Sequence, residues 1–187
     1  MRARGCSWAW EVAQNELQTV LPRRWSHCQG VARAARTCAV LVGDDAELLT
    51  AAAVLHDVGY APRLALTGFH PLDGARFLRD AHQADDRLVR LVANHTGALL
   101  EAEERGLRRE LMTEFPILDN PLLVDALTYT DLTTTPDGLP TTPHARIAEI
   151  LNRYGPDTVV GRFIQRAAPD LLASAARIEH ALAAQPR

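Results

Sequence analysis

Apolar residues recur along most of the chain at intervals of three and four, which is the spacing of one face of an α-helix. Proline or glycine follows many of these periodic segments, as expected where a helix ends. We expect the last helix to break at Pro169. The pattern predicts helices at about residues 7–21, 25–42, 44–56, 71–79, 88–92, 122–132, 144–154 and 158–184.

The composition supports a helical fold. Of the 187 residues, 47% are hydrophobic and only 5% are aromatic, and alanine and leucine dominate. These residues favour helices over a sheet rich in valine, threonine and tyrosine. The length suits one domain with a real core. We therefore expect an all-α protein, a single bundle of about seven to nine helices over residues 1–187.

Charge and cysteine content narrow the possible functions. The formal net charge is −3, so no global positive field attracts a nucleic acid polymer or an anionic membrane. All 20 basic residues are arginine, which excludes enzymes that depend on a P-loop or Schiff-base lysine. The three cysteines form no CxxC motif, and no signal peptide or membrane span is evident. We expect a cytoplasmic protein.

Several titratable side chains share a helix face with apolar residues. His56, for example, follows Ala52 by four positions and Leu49 by seven. An isolated buried carboxylate costs several kcal/mol unless it is paired or binds a metal. A shared metal site accounts for the whole set, with Asp57 as the natural bridging ligand, because imidazole and carboxylate groups bind Mn, Fe, Zn or Co. The residues with this inward pattern are His27, His56, His70, His95 and Asp131.

Three sequence segments that contain some of these residues together resemble the HD-domain superfamily of metal-dependent phosphohydrolases. WSHCQGVARAA contains His27, AAVLHDVGY contains the His56–Asp57 pair, and ALTYTDL contains Asp131. The resemblance covers about residues 22–135, which would form the metal-binding core. We expect the C-terminal helices, residues 142–187, to pack on that core.

Two further segments resemble the HD subfamilies that bind two metals. FHPLDGARFL and VANHTGALL contain His70 and His95 at the positions of the additional histidines. The resemblance implies two divalent transition metals, Fe or Mn before Zn or Co, that activate a hydroxide. It assigns His27, His56, Asp57 and Asp131 to the first metal, and His70, His95 and Asp57 to the second. His56 and Asp57 would be the central catalytic residues.

One position departs from the HD pattern. Many HD phosphohydrolases have a lysine three residues after the aspartate, where it can contact phosphate, but this chain has Tyr60 there. Arg63 or Arg76 could supply a bidentate guanidinium instead. Asn94 and Thr96 flank His95 and are candidates for orienting the substrate, although hydrogen bonding at a helix end explains them equally well.

Three functions are compatible with these residues. The first is hydrolysis of a small phosphorylated molecule such as a nucleotide. The second is oxidation by a dinuclear iron centre, as in proteins similar to myo-inositol oxygenase and the phosphonate-cleaving oxygenases. It ranks lower because NHTGALLEAEE has no basic residue after His95 to bind an anionic substrate. The third, a non-catalytic regulatory module, is disfavoured because all six metal positions are present.

The final helix leaves the oligomeric state open. Its apolar positions could serve a homodimer as readily as the core of one chain. The positions concerned are Phe163, Ile164, Leu171, Leu172, Ile178 and Leu182.

Overall fold

A computed structural model describes residues 6–185, and these residues form helices joined by short loops. Eight of the helices have eight residues or more and three are shorter, while no β-strand occurs within this described part. The all-α prediction is confirmed. The helices are α1 (Cys6–Leu17), α2 (Pro22–Thr37), α3 (Ala39–Val42), α4 (Ala46–Leu55), α5 (His70–His82), α6 (Asp86–Ala93), α7 (Ala98–Glu104), α8 (Arg108–Glu114), α9 (Pro121–Leu132), α10 (Pro143–Tyr154) and α11 (Val159–Ala183).

Several helix predictions differ from the structure: the first helix ends at Leu17 and not near residue 21, and α7 and α8 lie where no helix was predicted. The helix predicted over residues 25–42 is interrupted at Cys38, so that α2 and α3 are separate. The break predicted at Pro169 does not occur, because α11 continues through it. Pro169 lies on the exposed face of α11, where water can satisfy the carbonyl group that has lost its intrahelical donor. Buried residues on both sides of the proline, among them Ile164 and Leu171, hold the two halves against the core.

Thr142 and Pro143 are residue types that favour the N-cap and the first position of a helix, and α10 begins with them in those positions. The Thr142 side chain accepts a hydrogen bond from the backbone N–H of Ala145, and Pro143 occupies the first position of the helix. Proline suits this position because its missing N–H would have no partner there. The cap fixes the direction in which α10 leaves the preceding loop.

Helix α4 lies at the centre of the main core. It packs against α1, α2, α6 and α9, and its residues 51–55 are all buried. The small side chains of Ala51, Ala52 and Ala53 allow neighbouring helices to approach closely. The chain positions immediately after α4 are therefore held rigidly inside the molecule.

A second apolar cluster joins the C-terminal helices to α9. It contains Leu132 at the end of α9, Ile147 and Ile150 of α10, and Phe163 and Ile164 of α11. Helix α11 packs along α9, α10 and α7. Helices α10 and α11 are thus positioned beside the end of α9. Within residues 6–185, no helix combines the length and apolar character that a membrane span requires.

Candidate metal centre

Six titratable side chains from five parts of the chain meet in the interior. Each belongs to an element that the main core fixes in place. His27 lies in the middle of α2, His56 and Asp57 follow α4 directly, His70 is the first residue of α5, His95 begins the 3-10 turn after α6, and Asp131 is next to the last residue of α9. The structure thus brings together all the metal ligands that the resemblance implied.

Asp57 lies between two pairs of histidines. Its Oδ2 atom is 3.3 Å from Nε2 of His56 and 3.8 Å from Nε2 of His27. Its Oδ1 atom is 3.2 Å from Nε2 of His70 and 3.9 Å from Nε2 of His95. Each carboxylate oxygen therefore faces a different pair, which is the arrangement of a carboxylate that bridges two metal ions.

Asp131 completes the first group of predicted ligands. Its Oδ1 atom is 3.0 Å from Nε2 of His27 and 3.9 Å from Nε2 of His56. Its other oxygen, Oδ2, accepts a 2.5 Å hydrogen bond from the Thr96 hydroxyl group. One oxygen is thus oriented by a neighbour while the other faces the histidines, as metal-binding carboxylates usually require.

Backbone carbonyl groups fix the tautomers of two central histidines. Nδ1 of His56 donates to the Ala53 carbonyl at 2.8 Å, and Nδ1 of His95 donates to the Val92 carbonyl at 2.6 Å. In the neutral imidazole each Nε2 then carries a lone pair directed at the cluster. Nε2 of His56 is buried and has no hydrogen-bond partner among residues 6–185. A divalent metal ion would satisfy this atom, so the donor set fits a metal.

The loop after α9 fixes His27. Nδ1 of His27 donates to the Thr135 carbonyl at 2.9 Å, and Arg33 of α2 donates to the Gly138 carbonyl at 2.8 Å. The segment is TTTPDGLPTTP, residues 133–143, whose composition is typical of a surface connector and whose place after Asp131 would also suit a lid. This loop orients His27, a predicted metal ligand, through a backbone carbonyl group, so side-chain identities gave no sign of the contact.

The carboxylates make the cluster attractive to positive charge. Burial alone raises the pKa of Asp57, but Arg24 and His56 outweigh it and hold that pKa well below its usual value. Burial likewise lowers the pKa of His56, but the carboxylates of Asp57 and Asp131 outweigh it and raise the pKa to about 9. Burial, together with the other histidines, lowers the pKa of His95 to about 4. The cluster thus contains two anionic carboxylates that a bound cation would neutralise.

A stack of side chains borders the second histidine pair. Nη1 of Arg24 donates to Oδ2 of Asp57 at 2.6 Å, and the Arg24 guanidinium lies 4.1 Å from the centre of the Tyr60 ring. The His70 ring stacks on the same tyrosine ring, with ring centres 3.9 Å apart and planes 17° apart. Arg24 was not among the residues predicted from the sequence. Its position one helical turn before His27 was the available signal.

The two arginines predicted to bind anions lie elsewhere. Arg63 forms an exposed ion pair with Glu16, and Arg76 pairs with Glu110 and Glu114. Neither is among the described residues that line the cavity at the cluster. Because acidic partners already satisfy both guanidinium groups, the structure gives no support to the roles predicted for them.

The residues that flank His95 have different environments. Asn94 donates from Nδ2 to the carbonyl groups of Arg90 and Phe115, which corresponds to the helix-end interpretation. Thr96 lines the cavity, bonds to Asp131 and has a φ of 46°, a left-handed conformation that is costly for a β-branched residue. Of the two, only Thr96 acts on a predicted metal ligand.

A cavity opens onto the cluster from the side of α10 and α11. Its floor includes five of the six predicted ligands, and its walls include the stacked Arg24 and Tyr60. The remaining wall residues come mostly from the two C-terminal helices. The described lining residues from that side are Arg146, Ile150, Arg153, Tyr154, Val160, Phe163 and Ile164, and Pro71, Thr96, Ala98 and Glu101 complete the rim.

Comparison with known families identifies this arrangement. The sequence profile of the family described as HD domain matches residues 24–157, about 72% of the chain. The chain belongs to the HD-domain family. The match includes all six clustered residues of this HD domain and the whole of α10.

Curated relatives of this HD domain are similar over a limited region. The chain is 36% identical over 78 residues to a tRNA (cytidine(56)-2'-O)-methyltransferase of Picrophilus torridus, and 37% identical over 79 residues to the protein of the same name from Thermoplasma volcanium. Each alignment covers 42% of this chain but only 22% of the relative. The chain thus spans about a fifth of the length of these relatives. Among solved structures, none matches.

Proposed function

We propose that this HD-domain protein is a metal-dependent phosphohydrolase that acts on a small phosphorylated molecule such as a nucleotide. The observation that carries the proposal is the buried Asp57 carboxylate, which presents one oxygen to each of two histidine pairs at the floor of an open cavity. The HD domain suggests the superfamily of metal-dependent hydrolases. Substrate and reaction are our inference.

The cluster would hold one or two divalent ions, with Fe or Mn as the first expectation. Such ions lower the pKa of a water molecule and neutralise charge on a phosphoryl group. The chain itself supplies preorganisation: Ala53 and Val92 hold His56 and His95 in one tautomer, and Thr96 holds Asp131. Rigid ligands at the end of a buried helix lose little entropy when they bind.

Arg24 would contact the phosphate group in place of the lysine that many HD phosphohydrolases have where this chain has Tyr60. It contacts the central carboxylate directly and lines the cavity, so a phosphoryl oxygen at the cluster would lie within its reach. Tyr60 supports this role because its ring lies under the guanidinium and limits its motion. The tyrosine thus positions a cation that another helix contributes.

Phosphate release from a panel of nucleotides and sugar phosphates, with the Mn²⁺-loaded protein, tests the proposal. We expect release from the wild type and none above background from Asp57→Ala. Arg24→Gln should lower kcat/KM roughly tenfold or more, as expected for a lost charge-assisted hydrogen bond. Arg63→Gln is the matched control, because its exposed ion pair lies outside the cavity.

The competing interpretation is a dinuclear iron oxygenase, which would use the same six ligands. The iron-loaded protein should therefore be assayed for oxygen uptake with the same compounds. Oxygen uptake without phosphate release would reject the phosphohydrolase proposal. Phosphate release without oxygen uptake would reject the oxygenase.

A further inference from the structure

Arg146 is a buried cation with unused hydrogen-bonding capacity. Only 7% of the residue is exposed, and its Nε atom is buried without a hydrogen-bond partner among residues 6–185. A guanidinium group has five N–H donors, and burying them unpaired is costly. Arg146 also lines the cavity above the metal cluster. An anion in that cavity would satisfy it.

Arg146 belongs to one face of α10 that borders the cavity. Ile150, Arg153 and Tyr154 follow it by four, seven and eight positions, and all four residues line the cavity. The Arg153 guanidinium lies 4.8 Å from the centre of the Tyr154 ring. The face thus combines two cationic groups with apolar and aromatic surface.

The nearby carboxylates, one on α10 and one on α7, do not neutralise this face. Glu149 pairs with Nη1 of Arg146, and its other oxygen is 3.3 Å from Nε of Arg153. One carboxylate therefore serves two guanidinium groups. Glu101 is a further carboxylate at the rim, but Arg105 pairs with it at 2.7 Å.

We propose that the α10 face, centred on Arg146, binds a second phosphate group of the substrate, one that is not cleaved at the metal cluster. The substrate class is then an organic molecule with two phosphate groups, such as a nucleoside diphosphate or bisphosphate. Its organic part would contact the apolar wall formed by Ile150, Phe163 and Ile164. The link to a cleaved substrate rests on the proposed phosphohydrolase function, whereas anion binding at Arg146 does not.

Calorimetric titration of the metal-free protein with inorganic phosphate tests the binding surface alone. We expect the wild type to bind phosphate, Arg146→Gln to bind at least tenfold more weakly, and the matched control Arg63→Gln to bind as the wild type does. Arg146→Lys keeps the charge but loses the bidentate fork, so its affinity should be intermediate. If Arg146→Gln fails to fold, the phosphate affinity of Arg146→Lys tests the proposal in its place. Equal phosphate affinity in the wild type and the Arg146 variants, or no binding to the wild type, would overturn the proposal.

A parallel titration with malonate tests whether the site prefers a carboxylate to a phosphate. Tighter binding of malonate than of phosphate would overturn the phosphate assignment.

Hydrolysis by the Mn²⁺-loaded protein tests the substrate class. The assay compares adenosine 5′-monophosphate with adenosine 5′-diphosphate and adenosine 3′,5′-bisphosphate. Arg146→Gln should raise the KM of at least one two-phosphate compound roughly tenfold more than it raises the KM of the monophosphate. An equal change in KM for all three compounds, or none, would overturn the substrate assignment. If the wild type hydrolyses none of them but still binds phosphate through Arg146, the phosphohydrolase proposal fails for these compounds and the anion site stands.

Discussion

Asp57 is the residue on which both halves of the cluster depend. Its two oxygens face different histidine pairs, so losing the carboxylate would remove a predicted ligand from both. The sequence already indicated this position, because the aspartate follows an inward-facing histidine at the end of an apolar helix. Residue type and spacing were sufficient to place Asp57 in the cluster, since groups that are able to bind a metal are recognisable from side-chain chemistry.

The first prediction concerns Asp57 and His70. Asp57→Ala should abolish binding of Mn²⁺ at both positions, whereas His70→Ala should remove one ion and leave the group of His27, His56 and Asp131 with its ion. Calorimetric titration with Mn²⁺ measures both stoichiometries. Identical stoichiometry in the two variants would contradict a bridging role for Asp57.

The second prediction concerns Tyr60. Tyr60→Ala removes the ring that stacks on His70 and lies under Arg24, whereas Tyr60→Phe retains it. A cation–π contact contributes about 0.5–2 kcal/mol, so kcat/KM for the phosphohydrolase reaction should fall roughly 2- to 30-fold in Tyr60→Ala. Steady-state kinetics check this, with Tyr60→Phe expected near the wild-type value. A large loss in Tyr60→Phe would assign the role to the hydroxyl group instead.

At the scale of elements, the loop between α9 and α10 shows what sequence could not supply. Its composition indicated an irregular connector, and the structure places its backbone against α2, where Thr135 holds His27. Gly138 makes this approach possible, because a Cβ atom there would come within 2.1 Å of the Ser26 carbonyl oxygen. Contacts made by backbone atoms across a large sequence separation leave no periodic signal.

The third prediction compares two glycines with similar backbone conformations. Gly138 has φ +79° and Gly106 has φ +74°, but a Cβ atom at Gly106 would meet nothing within 4 Å. Gly106→Ala should therefore cost only the left-handed strain of about 1–2 kcal/mol. Gly138→Ala should cost about 1–3 kcal/mol more, because the loop must also move from α2.

Urea unfolding of the metal-free variants measures the two free energies of unfolding. Gly138→Ala should also bind Mn²⁺ more weakly, since displacement of the loop takes the Thr135 carbonyl away from His27. Equal destabilisation by the two substitutions would contradict the proposed role of the loop.

The helices themselves were largely predictable, and the exceptions have physical causes. Periodicity located the inward faces of α2, α4, α6 and α9, and the cap at Thr142 was recognisable from residue type. The ion-pair partners of Arg63 and Arg76 could not be predicted from the sequence, because surface ion pairs depend on which helices become neighbours. Arg146 was overlooked for the same reason. Its burial follows from the packing of α10 and α11 on the end of α9.

At the scale of the whole molecule, the buried carboxylates link metal binding to stability. The fourth prediction is that Mn²⁺ raises the melting temperature and that a chelator reverses the effect. Metal at about 100 times its dissociation constant adds about 2.7 kcal/mol. For a chain of this size, that corresponds to a shift of about 5–10 °C. Differential scanning fluorimetry measures the shift, and an equal shift in Asp57→Ala would assign it to a different metal site.

The most direct test of the account is the metal content of the purified protein after reloading with Mn²⁺ and removal of free ions, measured by inductively coupled plasma mass spectrometry. The wild type should retain metal, and so should His144→Ala, which changes an exposed histidine outside the cluster. His56→Ala should lose at least the ion held by His27, His56 and Asp131. A wild-type protein that retains no Mn, Fe, Zn or Co under any loading condition would contradict the metal centre and the phosphohydrolase proposal with it.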